Sequence, residues 1–268
     1  MLIPFIKMQA QGNDFIVWIR PMSLEQHVEI PGLAQRICDR HFGVGADGLV
    51  ILAAEIASPP RMLIYNADGS RAEMCGSALR CCTALLHEVS DLNEFAINTD
   101  SGLKHTRVIQ GGEHLLIEAE TAAPQLIREN MCVQGWKGTY IDAGNRHFIV
   151  ETDDLNNPSI LAQASRLQSD PAFNTGVNVH FISYLSDTQS EMLIWENGVG
   201  ATLACGTGAA SAAFAGIITG KLKIQSQIQM PGGSVGVRFD AATGIMWITG
   251  TAERVFSGEY EWKTSAPI

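Results

Sequence analysis

Short apolar runs punctuated by Gly and Pro dominate this chain, and most are too short for a helix. Leu49–Ala53, Met62–Asn66, Phe95–Asn98, Leu115–Glu118, His147–Glu151, Met192–Glu196, Ser234–Phe239 and Met246–Thr249 are rich in β-branched and aromatic residues and predict strands. Helical spacing is confined to Leu33–Asp39, Ala78–Val89, Ile160–Leu167 and Gly208–Gly220. Many strands with few helices predict an α/β chain of the α+β kind, in which a sheet wraps around a central helix.

The pattern also repeats. Met62-Leu63-Ile64-Tyr65-Asn66 returns as Met192-Leu193-Ile194-Trp195-Glu196, and Cys75-Gly76-Ser77 as Cys205-Gly206-Thr207, each 130 residues on. Gly12-Asn13-Asp14-Phe15-Ile16-Val17 matches Gly144-Asn145-Arg146-His147-Phe148-Ile149-Val150, read with one residue inserted. Solenoid repeats run to roughly 20–50 residues, so this period implies a duplicated domain instead. The expected domains are 1–122 and 123–255, with a linker near Glu120–Pro124. The stretch 256–268 returns to the first domain, because Tyr260 and Trp262 need burial after the second repeat is complete.

Composition narrows the function classes. At 268 residues and 46% hydrophobic, the chain can bury an ordinary globular core. A formal charge of −10 argues against nucleic acid as a partner. No apolar run is long enough to span a bilayer, and the start is too short in apolar residues for a signal peptide. A cytoplasmic location with reduced thiols follows as the expectation. The six cysteines show neither Cys-x-x-Cys nor zinc-like spacing, so no metal is expected. Cys38, Cys81, Cys82 and Cys132 read as small buried hydrophobes. Gly43-Val44-Gly45-Ala46-Asp47-Gly48 fits a dinucleotide fingerprint, but a strand rather than a helix follows, so it reads as a tight turn.

The duplicated cysteines carry the chemistry. Each precedes a small-residue helix start whose N–H groups lack intrahelical partners and can hold a carboxylate. The helix end also favours the thiolate. Two such thiols suit removal of a proton from one face of a carbon and delivery to the other. His147, beside Asn145, is expected to help set a cysteine's protonation state.

With these motifs in view, the chain resembles diaminopimelate epimerase over nearly its full length. The matching stretches are Lys7-Met8 with Gly12–Phe15, Asp39–Asp47, Asn66–Ser70, Ala204–Gly208 and Pro231–Gly233. The resemblance implies two pseudo-symmetric domains and a reaction needing neither metal nor pyridoxal phosphate. It implies Cys75 and Cys205 as the acid/base pair, with His147 and Glu196 as auxiliary catalytic positions. It further implies Asn13, Asn66, Asn145 and Asn178 as substrate ligands, and Gly76, Gly206 and Thr207 as a carboxylate cradle.

The chain departs from the family at Gly76-Ser77-Ala78, at Glu196-Asn197-Gly198 and at Gly200-Ala201-Thr202. Ser77 and Asn197 therefore join the expected substrate contacts as variant positions. Asn197 replaces an arginine that, in the family, grips the distal carboxylate of a two-headed substrate, and an amide cannot form that bidentate pair. Trp195-Glu196-Asn197 also resembles histidine racemases of the same superfamily.

The leading expectation is accordingly a cofactor-independent racemase or epimerase acting on a one-headed amino acid such as histidine. The alternatives are diaminopimelate epimerase itself and a binding module with a redox cysteine pair. Phenazine-biosynthesis isomerases share the fold but do not use paired thiols. The expected partner is the amino-acid substrate, with homodimerisation left open.

Overall fold

The computed structural model describes residues 1–21, 29–55, 58–112, 115–174 and 176–263. Residues 1–119 with the chain from 251 onward form one compact unit, and residues 120–250 form a second.

The first unit contains β1 (Leu2–Ala10), β2 (Asn13–Arg20), α1 (Ile30–Cys38), β3 (Gly48–Glu55), β4 (Ser58–Asn66), β5 (Arg71–Ala72), α2 (Gly76–Ser90), β6 (Glu94–Thr99), β7 (Gly102–Gln110) and β8 (Leu116–Glu120, its last residue counted with the second unit). The second contains β9 (Gln125–Val133), β10 (Trp136–Asp142), β11 (Arg146–Glu151), α3 (Ile160–Gln168), β12 (Asn178–Tyr184), β13 (Gln189–Glu196), β14 (Gly200–Ala201), α4 (Gly206–Ile218), β15 (Gln225–Met230), β16 (Gly233–Asp240) and β17 (Ile245–Thr251, its last residue counted with the first unit). The last strand, β18 (Glu253–Glu261), belongs to the first unit and pairs antiparallel with β1.

Strand order is the same in both units. In the first it runs β18-β1-β2-β3-β4-β6-β7-β8, with β2–β3 and β4–β6 parallel and β5 a short partner of β4. In the second it runs β9-β10-β11-β12-β13-β15-β16-β17, with β11–β12 and β13–β15 parallel and β14 on β13. The chain thus has the expected α+β class. α2 touches both β1 and β7, strands well apart in the sheet order, so the sheet curls around the helix.

Burial on two faces explains the sequence pattern. β3 reads Leu49-Val50-Ile51-Leu52 without alternation because Val50 and Leu52 pack in the α2 core while Leu49 and Ile51 pack in the α1 core. β15 alternates strictly because only one of its faces is covered. α4 is apolar nearly all round, as a core helix must be, and its alanines and glycines let the strands approach closely.

Helix α1 begins at Ile30, three residues before the expected start at Leu33. Pro31 stands in the first turn, where its missing N–H is harmless, and Glu29 accepts the Gly32 N–H at 2.9 Å as the cap. Residues 43–48 form the expected tight turn, with Gly45 at φ +82°. One expectation fails: Cys132 is exposed, because β9 is the edge strand of its unit and presents most of its side chains to solvent. The other three, Cys38, Cys81 and Cys82, are buried. Among the described residues, no helix is long and apolar enough to cross a membrane.

Candidate active site

Cys75 is the N-cap of α2 and Cys205 the N-cap of α4, both in extended backbone (φ −144°, ψ 122° and φ −141°, ψ 109°). In each helix the first intrahelical bond runs from the residue four further on, Leu79 or Ala209, to the cysteine carbonyl. The N–H groups of Gly76, Ser77 and Ala78, and those of Gly206, Thr207 and Gly208, therefore lie at helix N-termini without intrahelical partners. That is the local geometry for holding a carboxylate beside a thiol.

The surroundings of the two sulfurs differ. In the first unit, Asn13 Nδ2 approaches Cys75 Sγ at 3.8 Å. Asn13 sits after the β1–β2 turn, which an ion network holds. Lys7 Nζ meets Asp14 Oδ2 at 2.6 Å and also bonds the Gly45 carbonyl; Arg40 bridges Asp14 and Asp47 at 2.8 Å each. Burial raises the Asp14 carboxyl, but hydrogen bonds from Arg40 and Lys7 outweigh it and bring it down to about 2. Asn66 is exposed and bonds Ser70 through both its backbone N–H and its side chain, rather than any other expected site residue. Ser77 is buried on the first turn of α2.

In the second unit Cys205 is 6% exposed. Burial pushes its thiol well up, and the Glu196 carboxylate adds to this; the Thr207 hydroxyl, 3.7 Å away, and the Gly208 N–H work in the opposite direction. Glu196 is fixed from behind by the Thr202 hydroxyl at 2.6 Å. Asn178 donates to the Arg146 carbonyl and accepts the Asn197 N–H, both at 2.9 Å.

His147 bonds Asn145 Oδ1 through Nε2 at 2.8 Å and His180 Nε2 through Nδ1 at 2.9 Å; neither bond goes to Cys205. Burial lowers both imidazoles, His147 strongly and His180 to about 3, so both are neutral at physiological pH. The carbonyl of Asn145 assigns the His147 proton to Nε2, so His147 Nδ1 accepts from His180 Nε2–H. The strand ladders also place His147 opposite Asn178 as Phe15 is opposite Gly48, so Phe15 and His147 are equivalent. The insertion read from the sequence is unnecessary, because ladder register rather than residue similarity aligns the strands.

The expected residues thus fall into two sets. Cys75, Gly76, Ser77 and Asn13 gather in the first unit, where Asn66 stands apart on Ser70; Cys205, Gly206, Thr207, Glu196, Asn145, His147, Asn178 and Asn197 belong to the second. His180 escapes sequence reasoning, and Thr202, named there only within the variant stretch 200–202, gains its role from the bond to Glu196. The signal for His180 is an imidazole at an inward position of Val-Asn-Val-His-Phe-Ile.

Comparison with known proteins identifies the family of the chain. The family profile described as diaminopimelate epimerase matches residues 5–127 and 139–255. The diaminopimelate epimerase of Moorella thermoacetica is 32% identical over 96% of this chain and 98% of its own length. That of Phocaeicola vulgatus is 34% identical over 97% and 98%. Among solved structures, a hydroxyproline epimerase from Agrobacterium vitis superposes with a TM-score of 0.73 at 14% identity, covering 96% of this chain and 92% of that one. A phenazine-biosynthesis protein of the PhzF family from Bacillus anthracis gives 0.74 at 17%, covering 98% and 100%. These two likenesses speak for the fold, whereas the sequence matches reach across both units and both cysteine motifs. The chain is an isomerase of the racemase and epimerase type and belongs to the diaminopimelate epimerase family.

Proposed function

We propose that this protein inverts the α-carbon of an amino acid by two-base chemistry, with Cys75 and Cys205 acting on opposite faces of that carbon, and that the amino acid is diaminopimelate. The observation that carries the two-base reading is the matched backbone of the two cysteines, each an extended N-cap of its unit's buried helix. One sulfur, as thiolate, accepts the Cα proton. The electron pair left on carbon delocalises into the α-carboxylate, whose growing charge the helix-end N–H groups stabilise. The other sulfur, as thiol, delivers its proton to the opposite face. After one turnover thiol and thiolate have exchanged roles, and the protons balance without any further reactant. Asn13, Asn66, Asn145, Asn178, Ser77 and Thr207 serve in this reading as substrate contacts, and Glu196 and His147 support the Cys205 side.

The relatives' names support diaminopimelate, since the similarity spans nearly the whole chain. On this reading the product serves lysine biosynthesis. A second reading, a one-headed substrate such as histidine, is favoured by Asn197. Its N–H is tied to Asn178, and its side chain lies over Gly176, where an added Cβ would meet it at 2.7–3.0 Å. A short neutral amide so placed gives a distal carboxylate no bidentate partner.

Measured kcat/KM for L,L-diaminopimelate and L-histidine decides between them. Turnover of the first with none of the second supports the leading reading, and the reverse supports the other. Incubation in D₂O tests both, because two-base inversion must replace the Cα–H with deuterium, and absence of that exchange with either substrate would overturn the two-thiol reading.

A further inference from the structure

The first unit holds a cation that the chemistry above does not use. Arg80, on the second turn of α2, is 2% exposed. Its Nη2 donates to Gln11 Oε1 at 2.5 Å, while Nε and Nη1 have no hydrogen-bond partner. Among the described residues it forms no ion pair. A guanidinium buried without an anion is strongly disfavoured, so this position calls for a negative charge nearby.

Among the described residues, the strands packed against α2 turn no carboxylate toward its core: the buried Glu118 and Glu120 of β8 alternate with the core residues Ile117 and Ala119 and face the other way, Glu118 toward Arg107. β1, β2, β4 and β8 turn apolar side chains toward the helix. β7 presents Thr106, which bonds Thr83, and on the same face Lys104, itself a cation. Burial works against the Arg80 guanidinium and lowers it, while the thiols of Cys81 and of Cys75, the N-cap of the same helix, act in its favour; Arg80 also reaches the Cys75 side through Gln11, on the turn that carries Asn13, whose amide approaches the Cys75 sulfur. Cys81 is pushed up to about 12 by burial, and burial also holds neighbouring Cys82 well up, so both stay protonated. Cys75 is only partly buried, stands at a helix N-terminus, and receives the Asn13 amide.

We propose that Arg80 is a positioning residue that makes Cys75 the ionised thiol of the resting pair, with Cys205 entering the cycle protonated. The inference rests on the two-thiol reading and adds which sulfur begins as the base. The second unit fits the assignment: Ala210 stands 130 residues on from Arg80, and the charge next to Cys205 is the Glu196 carboxylate, which disfavours a thiolate. Arg80 also acts through Gln11. That residue holds the left-handed backbone of the β1–β2 turn at φ 51°, binds the Thr251 hydroxyl at 3.0 Å, and so fixes the loop that carries Asn13.

The test is alkylation of the substrate-free full chain by iodoacetamide across a pH series, resolved residue by residue by peptide mass. The midpoint of each profile reports ionisation irrespective of how exposed the sulfur is. Cys75 is expected to titrate below the ordinary thiol value of about 8.5, and Cys205 above it. Arg80→Met should move the Cys75 midpoint up by about one pH unit or more, a tenfold loss of thiolate at neutral pH, and Arg80→Lys should restore most of it. A lower midpoint at Cys205 than at Cys75 in the unmodified protein overturns the proposal without any variant. So does an Arg80→Met protein that is folded by circular dichroism with its Cys75 profile unmoved. The readout needs no substrate, so its failure leaves the racemase reading standing, and a failure of Cα–H exchange leaves the labelling result intact.

Discussion

In the first half of the molecule the helix behind the cysteine carries Arg80, and Phe15, Val50 and Ala78 fill the core beside its first turns. In the second half the matching places hold Ala210, His147, His180 and Gly208. Duplication has kept the backbone that presents each sulfur and exchanged the side chains that set its electrostatics. One half carries a buried cation on the helix that its cysteine caps; the other puts a carboxylate beside its thiol and a neutral imidazole pair behind it. A strictly symmetric pair of thiols would have no reason to differ in ionisation. An asymmetric pair starts each cycle with one base and one acid.

The comparison breaks most sharply at the sulfurs themselves. Cys75→Ser and Cys205→Ser should each lower racemisation by roughly a hundred- to ten-thousandfold, the usual worth of a positioned acid or base, since a serine hydroxyl is far too weak a base without its own activator. Proton exchange should survive only with the enantiomer whose Cα–H meets the remaining thiol. Near-normal turnover in both directions by either variant would end the two-base account.

Exchanging the small residue behind each cysteine comes next. A Cβ at Gly208 would lie 2.6 Å from His180 Nε2 and 3.1 Å from Cys205 Sγ. Gly208→Ala should therefore destabilise the fold by roughly 1–3 kcal/mol and displace the sulfur or the imidazole. Ala78→Gly makes the opposite change in the first half and should cost only about 1 kcal/mol, the helix penalty of glycine. Equal effects in a denaturant titration would show that the two helix starts are more alike than their neighbours suggest.

The smallest effect is on acid stability. The imidazoles of His147 and His180 are depressed by burial in the folded protein, His180 to about 3, so their contribution is complete above the ordinary value of 6.5 and is lost progressively as pH falls below it. Asp14 is depressed from 3.8 to about 2, so the ion network it anchors contributes fully above 3.8 and loses that contribution as pH falls toward 2. The second half should thus lose amide-exchange protection first on mild acidification. Installing the first half's residues, as His147→Phe with His180→Val, should flatten the fall in melting temperature between roughly pH 7 and 5. An unchanged slope would place the acid-sensitive step elsewhere.

The sequence exposes the strands and helices that bury apolar runs, and it exposes the cysteine pair because the repeat marks it. Strands such as β1, β7 and β9 are harder to read, because Lys7, Lys104 and the exposed positions of β9 interrupt the alternation. Lys7 is buried all the same, being satisfied by Asp14 and the Gly45 carbonyl from distant segments. His180 and Arg80 are invisible for the same reason. Each looks like an ordinary polar residue until strands far along the chain surround it, although an arginine between Leu79 and Cys81 on a helix apolar on every side is a signal in retrospect.

Strand β18 also gives the two halves different histories during synthesis. The second half is continuous in the chain and can close its sheet as soon as residues 120–250 have left the ribosome. The first half is translated earlier yet must wait for residues 253–261 before β1 gains its outer neighbour. Until then β1 offers an unpaired edge, the kind of surface that recruits wrong partners. The usual order of domain maturation, N-terminal first, is thereby reversed, and the half that emerges first is the one that keeps an open strand edge for longest.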